Sequence, residues 1–184
     1  VVGWSLDRFC KGERCQVGTW KSGWWHVPRI IAGGFDAPLI ITKEGEGYID
    51  WSQADDLFGI VQGGTDAGAE ILPLKLVLSG ASHFFLEMKG ANAQVTATAG
   101  SMGITPYIDL GNGWFETSTT GSYPGLGKMG GEATFACAGN TLYLNAAIQF
   151  VRVSTDAEIP AAAAALTPTA VDSSGDTPTG GDLP

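Results

Sequence analysis

The stretch Leu72-Pro73-Leu74-Lys75-Leu76-Val77-Leu78 decides the fold class, because leucine stands at every second position. Successive side chains of a β-strand point to opposite faces, so this spacing places the leucines on one face and predicts a half-buried strand. Residues 79–82 then read Ser-Gly-Ala-Ser, which is typical of a turn, and residues 83–88 form a second mostly apolar stretch. This part of the chain therefore predicts two consecutive strands joined by a turn.

The same pattern extends in both directions from this pair of strands, from Pro38 to Phe150. Further strands are predicted at 39–42, 48–51, 58–61, 93–99, 105–109, 114–119, 132–136 and 141–154, and glycine-containing turns or loops at 43–47, 62–66, 111–113, 121–131 and 137–140. Short strands with turns every 8–12 residues or so are typical of β-sandwiches and β-barrels. We predict an all-β domain over residues 36–154, built as a small β-barrel, β-tulip or sandwich.

The amino-terminal segment, residues 1–35, has a different composition. It holds four of the six tryptophans, interspersed with glycines and basic residues, and shows neither helical nor strand periodicity. We expect an irregular, aromatic-rich arm that either folds back onto the core or lies across a neighbouring protein. Because Trp and Arg dominate binding hot spots, the predicted partner-binding residues are Trp4, Arg8, Trp20, Trp24, Trp25 and Arg29.

The carboxy-terminal segment, residues 155–184, is of low complexity. It combines the alanines of 161–165 with four prolines and five acidic residues, and it contains no Lys or Arg. Such a composition buries too little apolar surface to offset the entropy of ordering the chain. We expect a flexible or partner-ordered tail with room for one helical turn at the alanines.

The overall composition restricts the classes of partner. Charged residues make up 16% of the sequence, below the roughly 25% usual for soluble domains, so much of the surface must be neutral, as in lattices and oligomers. The net charge of −9 argues against a nucleic-acid partner, which would require a basic stripe or a basic domain. No run of 18 or more apolar residues predicts a transmembrane helix, and no signal-like apolar stretch opens the chain. We expect neither a nucleic acid nor a membrane as partner.

Three groups of residues could carry chemistry, and each has a simpler interpretation. Residues 125–130 match G-x-G-x-x-G, but no strand precedes them and no helix follows, so we interpret them as a glycine loop. The carboxylates Glu44, Glu46, Asp50, Asp55 and Asp56 could form a glycosidase pair or a Ca²⁺ site, but their spacing selects neither. Asp55-Asp56 after Ser52 is more typical of a turn on a solvated edge. Of the two histidines, His26 and His83, the second is expected at the core or its rim. The sequence thus predicts a protein that is not an enzyme and has no cofactor or metal.

The three cysteines leave several states open. Cys10 and Cys15 could form a local disulfide, or could bind zinc with His26 and a fourth ligand such as Cys137 or His83. They could also be free thiols, because the C-x-x-C spacing of strong zinc motifs is absent and the number of cysteines is odd.

Two parts of the chain resemble capsid decoration (cement) proteins of tailed bacteriophages. The first consists of Gly103–Asp109, Gly113–Thr119, Gly125–Gly131 and Ala138–Leu144, which are similar to the closing strands of that family. The second, Pro38–Ile60, resembles the lambda-type pattern of an apolar strand and a glycine hairpin leading to Trp51. The resemblance implies a compact β-barrel or β-tulip, usually a homotrimer, on the exterior of the virion. There it would bind the major capsid protein and stabilise contacts between capsid subunits.

Other functions fit the same composition. One is a different viral shell or tail subunit, such as a jelly-roll capsid protein. Another is a secreted carbohydrate-binding module, in which Trp24, Trp25 or Trp114 would stack on sugar rings. A third is a hydrolase that uses the carboxylates between Glu44 and Asp56.

Overall fold

The computed structural model describes residues 15–65, 68–89, 92–117 and 131–168. These residues form thirteen β-strands and two short 3-10 helices, Trp51–Gln53 and Ala161–Ala165. The strands are β1 Gly18–Trp25, β2 Ile30–Gly33, β3 Pro38–Ile41, β4 Glu46–Asp50, β5 Leu57–Thr65, β6 Gly68–Ser79, β7 Ala81–Lys89, β8 Asn92–Gly100, β9 Gly103–Asp109, β10 Trp114–Glu116, β11 Gly131–Ala138, β12 Thr141–Leu144 and β13 Ile148–Ser154. The all-β prediction is confirmed.

Eight of these strands form a closed barrel in the order β1-β3-β4-β7-β8-β11-β12-β13. Each barrel strand pairs antiparallel with the next barrel strand along the chain, and β13 returns to pair with β1. This is an up-and-down barrel, and closure removes its open strand edges. An eight-stranded barrel has an interior just wide enough for side chains to fill. Large buried residues, including Phe84, Leu142 and Phe150, occupy this core.

The other five strands form a second sheet, which we call the cap sheet, in the order β10-β9-β6-β5-β2. Its strands come from the connections β1–β3, β4–β7 and β8–β11. In an up-and-down barrel these alternate connections all leave from the same end, so the cap sheet covers that end. Its inner face carries the leucines of the opening stretch, and Leu74, Leu76 and Leu78 are buried in one core cluster with Trp25 and Trp51.

The prediction of an irregular arm at residues 1–35 is wrong for residues 15–35, the part of this segment that the structure describes. β1 is a barrel strand and β2 an edge strand of the cap sheet, so no boundary between an arm and a β domain lies at residue 35. A register shift between Ser22 and Trp25 interrupts the alternation of β1. Because a bulge moves later side chains to the opposite face, the tryptophans of this strand show no simple period in the sequence.

Two further boundaries differ from prediction. The expected loop at 62–66 is largely strand, because β5 and β6 pair from Leu57↔Leu76 out to Thr65↔Gly68. The expected single strand at 141–154 is two strands, β12 and β13, since Asn145 and Ala146 have φ values of 53° and 52° and turn the chain back. Asn and Asp tolerate this left-handed conformation better than other non-glycine residues, but Ala gives no such signal in a sequence.

The first part of the predicted tail lies on the barrel. Residues 161–165 form the 3-10 helix Ala161–Ala165, so the helical turn at the alanines is confirmed. Beyond it, Gly100 N donates to Thr167 O at 2.8 Å, and Pro168 forms a bridge with Ala99 of β8. The chain is therefore held against β8 as far as residue 168, and residues 169–184 lie outside the described residues.

Candidate functional site

The six predicted partner-binding residues divide into three groups. Trp4 and Arg8 lie outside the described residues. Trp20 is completely buried and Trp25 is 5% exposed, so their predicted role at a partner surface is wrong. Both face the interior from β1, where the indoles fill the barrel core. Trp24, between them, points outward and is 54% exposed, and Arg29 is also exposed.

Trp24 and Arg29 lie at the two ends of the connection between β1 and β2. The indole ring of Trp24 packs edge-on against Phe35, with 5.6 Å between ring centroids. The backbone of Arg29 has a φ of 71° and is fixed by a hydrogen bond from Ile60 N to Arg29 O at 3.0 Å. The backbone of this connection is thus anchored while an aromatic ring and a guanidinium group stay at the surface.

The outer face of the cap sheet carries a cluster of aromatic side chains around one lysine, which we call the cap face cluster: Phe58, Lys75, Tyr107 and Trp114. The Phe58 and Trp114 rings lie 6.2 Å apart. The ammonium nitrogen of Lys75 lies 4.9 Å from the centre of the Tyr107 ring and 5.1 Å from that of Trp114. Such cation–π contacts hold the lysine in place at the surface. Of these four residues only Trp114 was predicted from the sequence as a candidate binding residue, since cross-strand register decides which residues meet.

The cysteine pairing differs from the local disulfide that the sequence allowed. Cys15 is bonded to Cys137 of β11, with a Cα–Cα distance of 6.1 Å and a separation of 122 residues along the chain. This bond excludes Cys15 and Cys137 from a zinc site. Within the described ranges, no group of three or more His, Cys, Asp or Glu residues could hold a metal ion.

His83 belongs to a hydrogen-bonded group on the outer wall of the barrel. Its Nε2 lies 2.7 Å from Glu46 Oε1, and its Nδ1 is hydrogen-bonded to Thr98 Oγ1. A β-bulge opposite His83 brings Thr98 into this position. The order carboxylate, imidazole, hydroxyl is also that of hydrolytic triads. The Thr98 hydroxyl also donates to His83 O at 3.0 Å, so these side chains link β4, β7 and β8 on the outer wall of the barrel.

The acidic residues between Glu44 and Asp56, which the structure describes, form no group of three or more that could hold a metal ion. Asp50 caps the 3-10 helix at Trp51 by accepting from Ser52 N at 3.0 Å and Ser52 Oγ at 2.6 Å. Asp50 also acts on Tyr48: burial, and secondarily the charge of Asp50, raise the pKa of the Tyr48 phenol above its usual value. Asp50 therefore serves as the cap of a local turn. The glycine motif at 125–130 lies outside the described residues.

A cavity of 470 Å³ opens at the barrel end away from the cap sheet. The connection between β3 and β4 forms one side of it, and the lining mixes apolar and polar groups: Gln16, Val17, Ile41, Thr42, Lys43, Glu44, Gly45, Leu86, Glu87 and Met88. Its volume is within the range of small-molecule sites. The described lining residues include no cysteine, serine or histidine, and its titratable side chains are Lys43, Glu44 and Glu87.

Comparisons with protein-family models, with curated proteins and with solved structures find no match to this chain. No helix in the described part of the chain is long and apolar enough to cross a membrane.

Proposed function

We propose that this protein is a non-enzymatic structural protein that binds the outer surface of a phage capsid and stabilises contacts between major capsid subunits. The proposal rests on two exposed side chains: Trp24 near the end of β1, and Arg29 directly before β2. Tryptophan and arginine are the residues most enriched at binding hot spots. Trp24 is more than half exposed although its neighbour Trp25 is buried, so the strand presents one indole outward at the cost of leaving apolar surface in water.

Two features of the fold support a role in surface binding. The barrel interior is filled with side chains and the cap sheet covers one barrel end, so the described strands form a compact body with the 470 Å³ cavity at its other end. Closure also protects the barrel strands from the edge-to-edge pairing to which exposed strands are prone. A cement protein requires a compact body of this kind, since it must hold capsid subunits in a constant relative position.

The test is co-sedimentation with capsids. Icosahedral particles from the natural source of the chain are purified on a gradient, and the chain is quantified per particle. We expect hundreds of copies per particle and loss of binding for Trp24→Ala and Arg29→Glu. Val153→Ala, at another exposed strand position of the barrel, is the matched control and should bind normally. Absence of the chain from such particles refutes the proposal.

A second candidate is a secreted carbohydrate-binding protein, and the disulfide between Cys15 and Cys137 favours it. Disulfides persist mainly in oxidising compartments such as the periplasm or the extracellular space. The cap face cluster would offer aromatic rings to a sugar. A glycan array with wild-type protein and Trp114→Ala separates the candidates: saturable binding that requires Trp114 supports this one, and no binding to any glycan eliminates it.

A further inference from the structure

We propose that the outer wall of the barrel contains a groove for an extended, proline-containing segment of a partner protein, and that residues 156–168 of this chain occupy the groove until such a segment displaces them. We call residues 156–168 the strap. This site is separate from capsid binding through Trp24 and Arg29, and it does not rest on that proposal.

The strap follows one row of residues across five neighbouring barrel strands. Direct register partners form this row, one from each of β1, β3, β4, β7 and β8: Thr19, Ile40, Tyr48, His83 and Ala99. The strap is bound at both ends of the row, because Thr19 Oγ1 donates to Asp156 O at 2.7 Å and Pro168 forms a bridge with Ala99. Between these ends, the 3-10 helix of the strap lies against β7. The strap therefore crosses the outer faces of β3, β4 and β7.

The wall beneath the strap is buried although it points away from the core. Tyr48 and Ala81 are 5% and 8% exposed, and neither belongs to the core cluster. Ile49, the next residue along β4, lies in that cluster, so Tyr48 faces outward. On the same outer face of β7, Phe85 lies beyond the row and is 46% exposed. The cover is thus confined to the part of the wall that the strap crosses.

The strap shows which chemistry the groove accepts. Its half-buried residues are all apolar or proline: Ala157, Ile159, Pro160, Ala163 and Leu166. The acidic residues Asp156 and Glu158 are exposed, so the groove does not select for negative charge. The backbone has φ −66° and ψ 149° at Pro160, and φ −69° and ψ 142° at Leu166, which are polyproline II values.

The aromatic side chains of the wall suit a ligand in this conformation. Proline-rich segments in the polyproline II conformation dock into aromatic-lined grooves, because the preformed backbone loses little entropy on binding. Tyr48 and His83 are direct partners on the outer face and supply two such rings at the centre of the row. A proline-containing segment of another protein therefore has the chemistry to replace the strap.

Few contacts hold the strap, so it can be displaced. None of residues 156–168 is fully buried. Apart from the bond at Thr19 and the bridge at Pro168, the strap accepts a hydrogen bond from Gly100 N to Thr167 O at 2.8 Å. Segments with few buried contacts open at a lower free energy than the whole fold. The closed strap raises the apparent dissociation constant of a partner segment in inverse proportion to the open fraction, and it is therefore an autoinhibitory contact.

The test measures binding of a peptide to the full chain by fluorescence anisotropy. The probe is a labelled synthetic peptide with the sequence of residues 156–168. We expect weak binding to the wild type, and about tenfold or more tighter binding to the strap variant, Ile159→Asp with Leu166→Asp, in which the groove is open. A peptide that carries the same two substitutions should not bind. Equal affinity of the wild type and the strap variant for the probe overturns the proposal.

Two additions to the strap variant locate the peptide. Tyr48→Asp places a charge in the centre of the groove and should abolish binding. Val151→Asp places the same charge at an exposed position of β13, outside the row, and should leave the affinity unchanged. Equal effects of the two additions would show that the peptide does not bind along the row, and this too overturns the proposal.

Hydrogen exchange shows whether the strap variant keeps its barrel. The Gly100 amide donates to the strap, whereas the Leu86 amide donates to Gly45 O at 2.7 Å within the barrel. We expect faster exchange at Gly100 and unchanged exchange at Leu86. If Leu86 also loses protection, the milder pair Ile159→Ala and Leu166→Ala replaces the strap variant, and it should still bind the probe more tightly than the wild type does. Equal affinity in that comparison overturns the proposal.

The strap of a second copy is the competing occupant of the groove. Exchange of straps between copies would produce a wild-type oligomer that the strap variant cannot form. Sedimentation equilibrium of the full chains should give the same molar mass for both proteins. A wild-type oligomer that dissociates when Ile159 and Leu166 are replaced overturns the proposal in favour of strap exchange.

Discussion

The guanidinium carbon of Arg152 lies 4.1 Å from the centre of the buried Trp20 ring. Arg152 belongs to β13 and Trp20 to β1, the two strands that close the barrel, and the two residues are register partners. The same guanidinium donates to Val17 O at 2.8 Å and to Cys15 O at 2.7 Å. One side chain thus stacks on the core, joins the last strand to the first and satisfies two carbonyls that precede β1.

Replacing Arg152 should therefore destabilise the closed barrel. Arg152→Ala removes a cation–π contact and two charge-assisted hydrogen bonds, with an expected loss of about 2–3 kcal/mol in the free energy of unfolding. Arg152→Lys should recover less than half of this loss, because an ammonium group cannot donate to both carbonyls in the planar geometry of guanidinium. Urea unfolding measures the free energy of unfolding of both variants. An effect of Arg152→Ala no larger than that of the neighbouring Val153→Ala would show that the contact contributes little.

Reduction of the disulfide between Cys15 and Cys137 should also lower stability. The bond closes a loop of 122 residues, and loss of that constraint on the unfolded chain costs up to about 5 kcal/mol in the chain-entropy description. Thermal unfolding with and without reductant should show a large fall in Tm for the wild type and none for Cys137→Ser.

Cys10→Ser is the control for that measurement, because Cys10 is not a member of this pair. It should keep the full response to reductant. A variant that loses the response would show that Cys10 takes part in the bond in solution.

Gly59 should not tolerate a side chain. A Cβ at this position would overlap the carbonyl oxygen of Arg29, which is held in place by Ile60 N. We expect Gly59→Ala to cost about 1–3 kcal/mol by overpacking. Gly23→Ala is the matched control, since its Cβ would meet only Gln149 O at 3.5 Å, an ordinary contact. Equal stability of the two variants in urea would contradict the close approach of β2 and β5.

Tyr48 should make the protein sensitive to alkaline pH. Burial, followed by the charge of Asp50, raises the pKa of its phenol in the folded state. The folded protein then keeps a proton that the unfolded chain releases near pH 10. This contribution to stability is complete below that pH and is lost as the pH rises through the folded-state pKa. Between pH 9 and 11 the wild type should lose more stability than Tyr48→Phe, as measured by urea midpoints. If the urea midpoints of the wild type and Tyr48→Phe fall in parallel over this pH range, Tyr48 does not contribute to the pH dependence.

Short-range patterns predicted those parts of the fold that depend on neighbouring residues. The alternation at 72–78 and the turn at 79–82 led to β6 and β7, and the alanines at 161–165 to a helical turn. The same reasoning missed β1, where a bulge breaks the alternation, and the turn at Asn145 and Ala146, where no glycine marks the positive φ. Among the predicted partner-binding residues, Trp24 and Arg29 are exposed in the structure. Composition alone did not distinguish them from Trp20 and Trp25, which are buried.

The sequence by itself determined an all-β chain, because alternation and glycine turns are local properties of the backbone. Only the tertiary structure decided which strands meet. Closure of β13 on β1, the bond between Cys15 and Cys137, and the meeting of Phe58, Lys75 and Trp114 join residues far apart in the chain. Periodicity shows which side chains share a face of one strand, but not which strand lies beside it. That choice depends on how the whole set of apolar faces can be buried at once.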